Sequence, residues 1–193
     1  MNAYELAQKE VGTVEWSKGD NPKVVAYFAD SGNAGVKNDE TAWCAAFVGA
    51  MLKRAGLKGT GKLNARSYLD WGVPVDRKDA KPGDVVVFKR GNSTWQGHVA
   101  FFVKDKGALI DVLGGNQSNA VNVKGYQASQ ILGIRRAPTA PQRPATAPQA
   151  PTAAPAPQKP AKAPAGPAIV VGGIIAAAVA LVSGGWGWLT SWF

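Results

Sequence analysis

Apolar positions at helical spacing come first in this chain, and short runs of β-branched and aromatic residues follow. Residues 1–10 predict a short amphipathic helix. Asn21 then caps a second helix with Pro22 at its first position, and Val24, Val25, Tyr27 and Phe28 supply its apolar side. A third follows Thr41-Ala42-Trp43-Cys44, with Phe47, Val48, Met51 and Leu52 on its apolar face. Asp39, Glu40 and Thr41 offer it N-cap chemistry, Lys53 and Arg54 fall in its last turn, and Gly56 ends it. A shorter helix is expected over 64–71, stopped by Gly72.

Beyond the Lys81-Pro82-Gly83 turn the period changes. Residues 84–88 read as a strand of buried-run character, 97–103 as a second and 108–113 as a third, with weaker strands at 120–123 and 131–135. Helices followed by an antiparallel meander predict an α+β fold rather than alternating βαβ units.

Composition divides the chain further. Residues 1–136 have ordinary globular composition and are long enough for one domain with a core. Residues 137–167 hold ten of the 13 prolines and eleven alanines, a Pro/Ala linker with nothing to build a core. Extended at ~3.1 Å per residue, it reaches on the order of 95 Å. Residues 168–193 contain no charged side chain, and Trp186, Trp188, Trp192 and Phe193 cluster near their end like an interfacial belt. The expectation is one C-terminal transmembrane helix; a hydrophobic hairpin or interfacial segment is the competing reading. Lys159 and Lys162 before the span favour a cytoplasmic linker and domain, on two charges only.

The net charge of +9 suits a polyanionic partner such as an anionic lipid or a cell wall. Basic residues are not interleaved with aromatics, which argues against nucleic acid. The N-terminal ten residues lack the apolar centre of a signal peptide, so export by that route is not expected.

The chain has one cysteine and one histidine. Cys44 sits in the first turn of a predicted helix, where the dipole favours thiolate, although Asp39 and Glu40 oppose it. A lone cysteine on a helix is more commonly packing. His98 begins a predicted strand, and together the two meet the minimum for a thiol nucleophile and its base. An orienting group is also required. Asn116, after Gly114-Gly115, is the candidate, with Asp111 and Gln117 as rivals. Trp43, Trp95 and Gln96 are candidates for lining a substrate groove, with core packing the alternative for Trp43. One Cys and one His do not make a typical zinc set, and no cofactor is implied.

The run Thr41-Ala42-Trp43-Cys44-Ala45-Ala46-Phe47, the 82–88 segment, Gly97-His98-Val99-Ala100-Phe101-Phe102 and Gly114-Gly115-Asn116-Gln117 together resemble CHAP and NlpC-type cysteine peptidases. The likeness extends over residues 1–136, and its nearest branch is the phage and prophage one. The resemblance implies a papain-like α+β fold and cleavage of amide bonds in peptidoglycan. It also implies Cys44 as nucleophile, His98 as base and Asn116 as polar third member. The function expected is an endolysin-like peptidoglycan hydrolase anchored by its tail. The alternative is a catalytically silent wall-binding or membrane-lesion protein acting through that tail, and a thiol transferase or peptidase on another substrate is the third reading.

Overall fold

A computed structural model describes residues 1–138, so the linker beyond Pro138 and the expected transmembrane segment lie outside the described residues. Helix α1 spans Ala3–Lys9 and opens with a capping box, in which Asn2 and Glu5 each accept the other's backbone N–H. Helix α2, Pro22–Asp30, is capped by Asn21 with Pro22 at its first turn. Helix α3, Cys44–Arg54, is buried at every position from Cys44 to Leu52. Residues 65–70 form a 3₁₀ helix rather than an α-helix, capped by the Asn64 side chain on the Arg66 N–H. Such a short segment, closed at once by Gly72 at positive φ, has no room for a stable α-helical ladder. No helix among the described residues is long and apolar enough to cross a membrane.

Six antiparallel strands follow: β1 (Val73–Val75), β2 (Val85–Lys89), β3 (Gly97–Asp105), β4 (Leu109–Gly114), β5 (Asn122–Gln127) and β6 (Ile131–Arg136). Their order in the sheet is β1-β6-β2-β3-β4-β5. The expected meander is therefore real from β2 to β5, but β6 returns beside β2 and is itself edged by β1. The strand expected at 120–123 begins two residues later, because Ala120 instead bridges Val14.

The α+β reading holds, and the sheet explains the run Val85-Val86-Val87-Phe88. Val85, Val87, Val99, Phe101 and Leu113 pack against the helices. Val86, Phe88, Ala100, Phe102, Ile110, Val112 and Ile134 form a second cluster on the opposite face. A strand buried on both sides loses the period-two alternation. Asp84 is buried just before β2 and receives a bidentate pair of bonds from Arg136 (2.8 Å each) and the Lys81 N–H. That clamp ties the last residue of β6 to the turn before β2.

Candidate active site

The nucleophile candidate owes its position to the start of α3. Trp43 occupies the N-cap but makes no side-chain cap bond. Asp39, expected to cap, is buried elsewhere and accepts the backbone N–H of Asn21 (2.9 Å) and Trp16 (3.3 Å), while Thr41 bonds to Asn38. Carboxylate and hydroxyl are thus diverted to loop-tying, and the first-turn N–H groups of α3 keep no capping side chain. Cys44, the first residue of the helix, is buried at 8% exposure.

Cys44 and His98 both line one cavity of about 200 Å³, shared with Asn64, Arg90, Trp95, Gln96 and Asn116. His98 enters from the second residue of β3, opposite Phe88 of β2. Its ring stacks on Tyr126 of β5, with centroids 4.8 Å apart and planes at 14°, and Tyr126 stacks in turn on Phe88. The imidazole is held in orientation by aromatic faces as well as by hydrogen bonding.

That hydrogen bond goes to Gln117, not Asn116. His98 Nε2 lies 3.0 Å from Gln117 Oε1. Gln117 Nε2 donates to the Asn122 carbonyl (2.7 Å) and Asn122 Oδ1 (3.0 Å), and Asn122 Nδ2 donates back to the Gln117 carbonyl (2.7 Å). Backbone carbonyls only accept, so both amides have fixed orientations. Gln117 then presents an oxygen to the ring, which requires Nε2 to carry the proton and leaves Nδ1 as the basic nitrogen. Asn116 is half-buried and faces the cavity instead. The loop explains the one-residue difference: Asn116, Ser118 and Asn119 all have positive φ (56°, 58° and 59°), so the chain turns sharply on either side of Gln117. Asp111, the other rival, is ion-paired with Lys106 at 2.6 Å.

Of the expected groove residues, Trp95 is 64% exposed and lines the cavity with Gln96. Trp43 does not. It is fully buried, packed against Tyr27 and Phe47, and its indole N–H meets Glu15. Its contribution is steric: a Cβ placed on Gly115 would lie 2.4 Å from the indole ring. Trp43 therefore sits under the loop that carries Gln117, one residue before the sulfur.

Burial pushes the Cys44 thiol up, against the backbone N–H groups of Val99 and Ala45, the Arg90 charge and the Cys44 N–H. Burial pulls His98 down to about 4, with the Gln117 bond raising it and Arg90 and Lys124 adding to the depression. Both groups are thus neutral at rest near pH 7, and any ion pair forms only when the proton moves. Three residues without a sequence motif join the site: Arg90, Asn122 and Tyr126. A larger concavity of about 460 Å³, between the α2–α3 helices and the 56–61 loop, holds Asp30, Lys53 and Lys58 but neither thiol nor imidazole.

Residues 36–116 match the CHAP domain family model, which spans Cys44, His98 and Asn116 and stops one residue before Gln117. Solved structures with a similar trace include the peptidoglycan hydrolase RipB of Mycobacterium tuberculosis, 18% identical with a TM-score of 0.44, the match covering 69% of this chain and 62% of that one. RipD of the same organism, described as a non-catalytic NlpC/p60 domain protein adapted to peptidoglycan binding, is 15% identical (TM-score 0.43; 70% and 98% covered). An NLP/P60 family protein of Staphylococcus aureus is 17% identical (TM-score 0.42; 69% and 39% covered). This chain thus spans less than two thirds of the RipB and S. aureus chains. None of the curated proteins matches it.

Proposed function

We propose that this chain, whose residues 36–116 match the CHAP domain, is a peptidoglycan hydrolase that cuts a peptide or amide bond of the cell wall by a Cys-His thiol mechanism. The observation that carries the reading is the one-way amide chain from Asn122 through Gln117 to His98, which leaves Nδ1 unprotonated on a ring sharing a cavity with Cys44. In the reaction proposed, Nδ1 takes the thiol proton as Cys44 Sγ bonds to the scissile carbonyl carbon. The oxygen gains the negative charge, and backbone N–H groups at the uncapped start of α3, that of Cys44 among them, are its donors. Collapse breaks the C–N bond, and the imidazolium gives its proton to the departing amine, leaving a thioester. Water then attacks the thioester with His98 as base, releasing the acid and restoring the thiol.

A domain that only bound the wall would have no use for an imidazole held in one tautomer beside a thiol, which favours an enzyme over the silent alternative. The cellular setting we propose is endolysin-like lysis, with residues 168–193 as membrane anchor. It rests on the sequence resemblance and the apolar composition of that segment.

Loss of turbidity of purified cell walls tests the reading. The full chain is expected to clear them and to release fragments with new amine termini in mass spectra, and the Cys44→Ala chain to do neither. Equal clearing by the two chains overturns the thiol mechanism.

A further inference from the structure

Among the described residues that line the cavity, Arg90 is the one permanently charged side chain, and none is a carboxylate. Three of the five other arginines among the described residues are neutralised by carboxylates. Arg54 closes on Asp30 and Glu10, Arg77 on Asp105, and Arg136 on Asp84. The Arg90 guanidinium has no hydrogen-bond or ion-pair partner among the described residues, and its residue is exposed.

The segment after it is anchored. Arg66, from the 3₁₀ helix, donates Nε to the Gln96 carbonyl (2.8 Å), Nη1 to that of Thr94 and Nη2 to that of Ser93 (2.5 Å each). These acceptors are neutral, so Arg66 fixes the loop without cancelling its own charge. Lys124, on β5 two residues before Tyr126, adds to the depression of His98, and Arg90 is felt at Cys44, His98 and Tyr126 alike. The cavity therefore takes positive potential from Arg90 and Lys124, neither of which has an ion-pair partner among the described residues, and Arg90 leads into an anchored loop.

We propose that Arg90 is a substrate-recognition residue that pairs with a free carboxylate on the donor side chain or terminus beside the scissile amide, so that the substrate class is an acidic peptide rather than an amidated one. A guanidinium matches a carboxylate with two parallel N–H donors, which gives orientation as well as attraction. Trp95, exposed on the same anchored loop, offers an apolar wall beside it. The inference rests on the hydrolase reading, and its test separates the two.

The test compares purified peptidoglycan with the same material after carbodiimide-ammonia amidation of its carboxylates. Hydrolysis by the wild-type chain is expected to be about tenfold slower on amidated walls, the scale of one charge-assisted contact. Arg90→Gln is expected to be slow on both, with the change in KM and not in kcat. Lys58→Gln removes the same charge from outside the cavity and is expected to discriminate as wild type does. Co-sedimentation of the Cys44→Ala chain and of its Arg90→Gln derivative with the two wall samples reads recognition without turnover. Indifference of the wild type to amidation, or equal loss of discrimination in Lys58→Gln, overturns the assignment. Failure of all chains to hydrolyse, with Arg90-dependent co-sedimentation retained, overturns the hydrolase reading and leaves the carboxylate site standing.

Discussion

Gln117 Oε1 stands 3.0 Å from His98 Nε2, and the amide nitrogen behind that oxygen is committed to Asn122. The imidazole is therefore told which nitrogen to protonate by a strand five residues further along the chain. Asn116, adjacent to Gln117 and chemically the more expected partner, contributes to the cavity wall.

The two amides make opposite predictions. Gln117→Ala frees the ring and lets the other tautomer form, so kcat on cell walls should fall on the order of 100-fold, the lower end for an acid–base group. Asn116→Ala should cost less than about tenfold, since it removes no partner of His98. Asn122→Ala should fall between them, because it releases Gln117 and not the ring. Progress curves with the three chains decide the matter; a larger loss in Asn116→Ala than in Gln117→Ala would return the third role to Asn116.

The depressed His98 gives a pH signature of stability. Its folded value, about 4, is below the ordinary 6.5, so the unfolded chain binds more protons between these limits. The neutral, half-buried ring therefore supports the fold fully above pH 6.5, and that support is lost as pH falls toward 4. The amount is on the order of 3 kcal/mol. Urea unfolding of wild type and His98→Gln from pH 7 to pH 4 should show the difference between them shrinking by that amount. Parallel curves would mean that His98 titrates normally. The same neutral base predicts hydrolysis with no acid limb near pH 6.5.

Trp43 and Trp95 should separate cleanly. Trp43→Ala empties the core beneath the Gln117 loop and should destabilise by about 3–5 kcal/mol, while Gly115→Ala pushes a methyl into the same indole and should cost about 1–3 kcal/mol. Trp95→Ala, at an exposed position, should stay within about 0.5 kcal/mol of wild type in thermal unfolding. Its effect belongs in KM for wall fragments. A stable Trp43→Ala chain with raised KM would restore Trp43 to the groove.

Much of this protein was legible without coordinates. The cap at Asn21, the apolar face of α3 and the run from Val85 to Phe88 are local signals, each settled within one or two turns or a single strand. So was the candidacy of Cys44 and His98, because a chain with a single thiol and a single imidazole leaves little choice. Neither periodicity nor spacing could place β6 beside β2, since strand order depends on which edges remain open after the β2–β5 meander has formed. The choice of Gln117 over Asn116 turned on three residues of positive φ that flank Gln117, and the burial of Trp43 on a loop seventy residues away, closing over it through Gly115. Arg90 became visible only once its neighbours were known to be uncharged. A local code can name the chemistry that a side chain offers, but its partners are chosen by long-range packing, where residues distant in the chain compete for the same space.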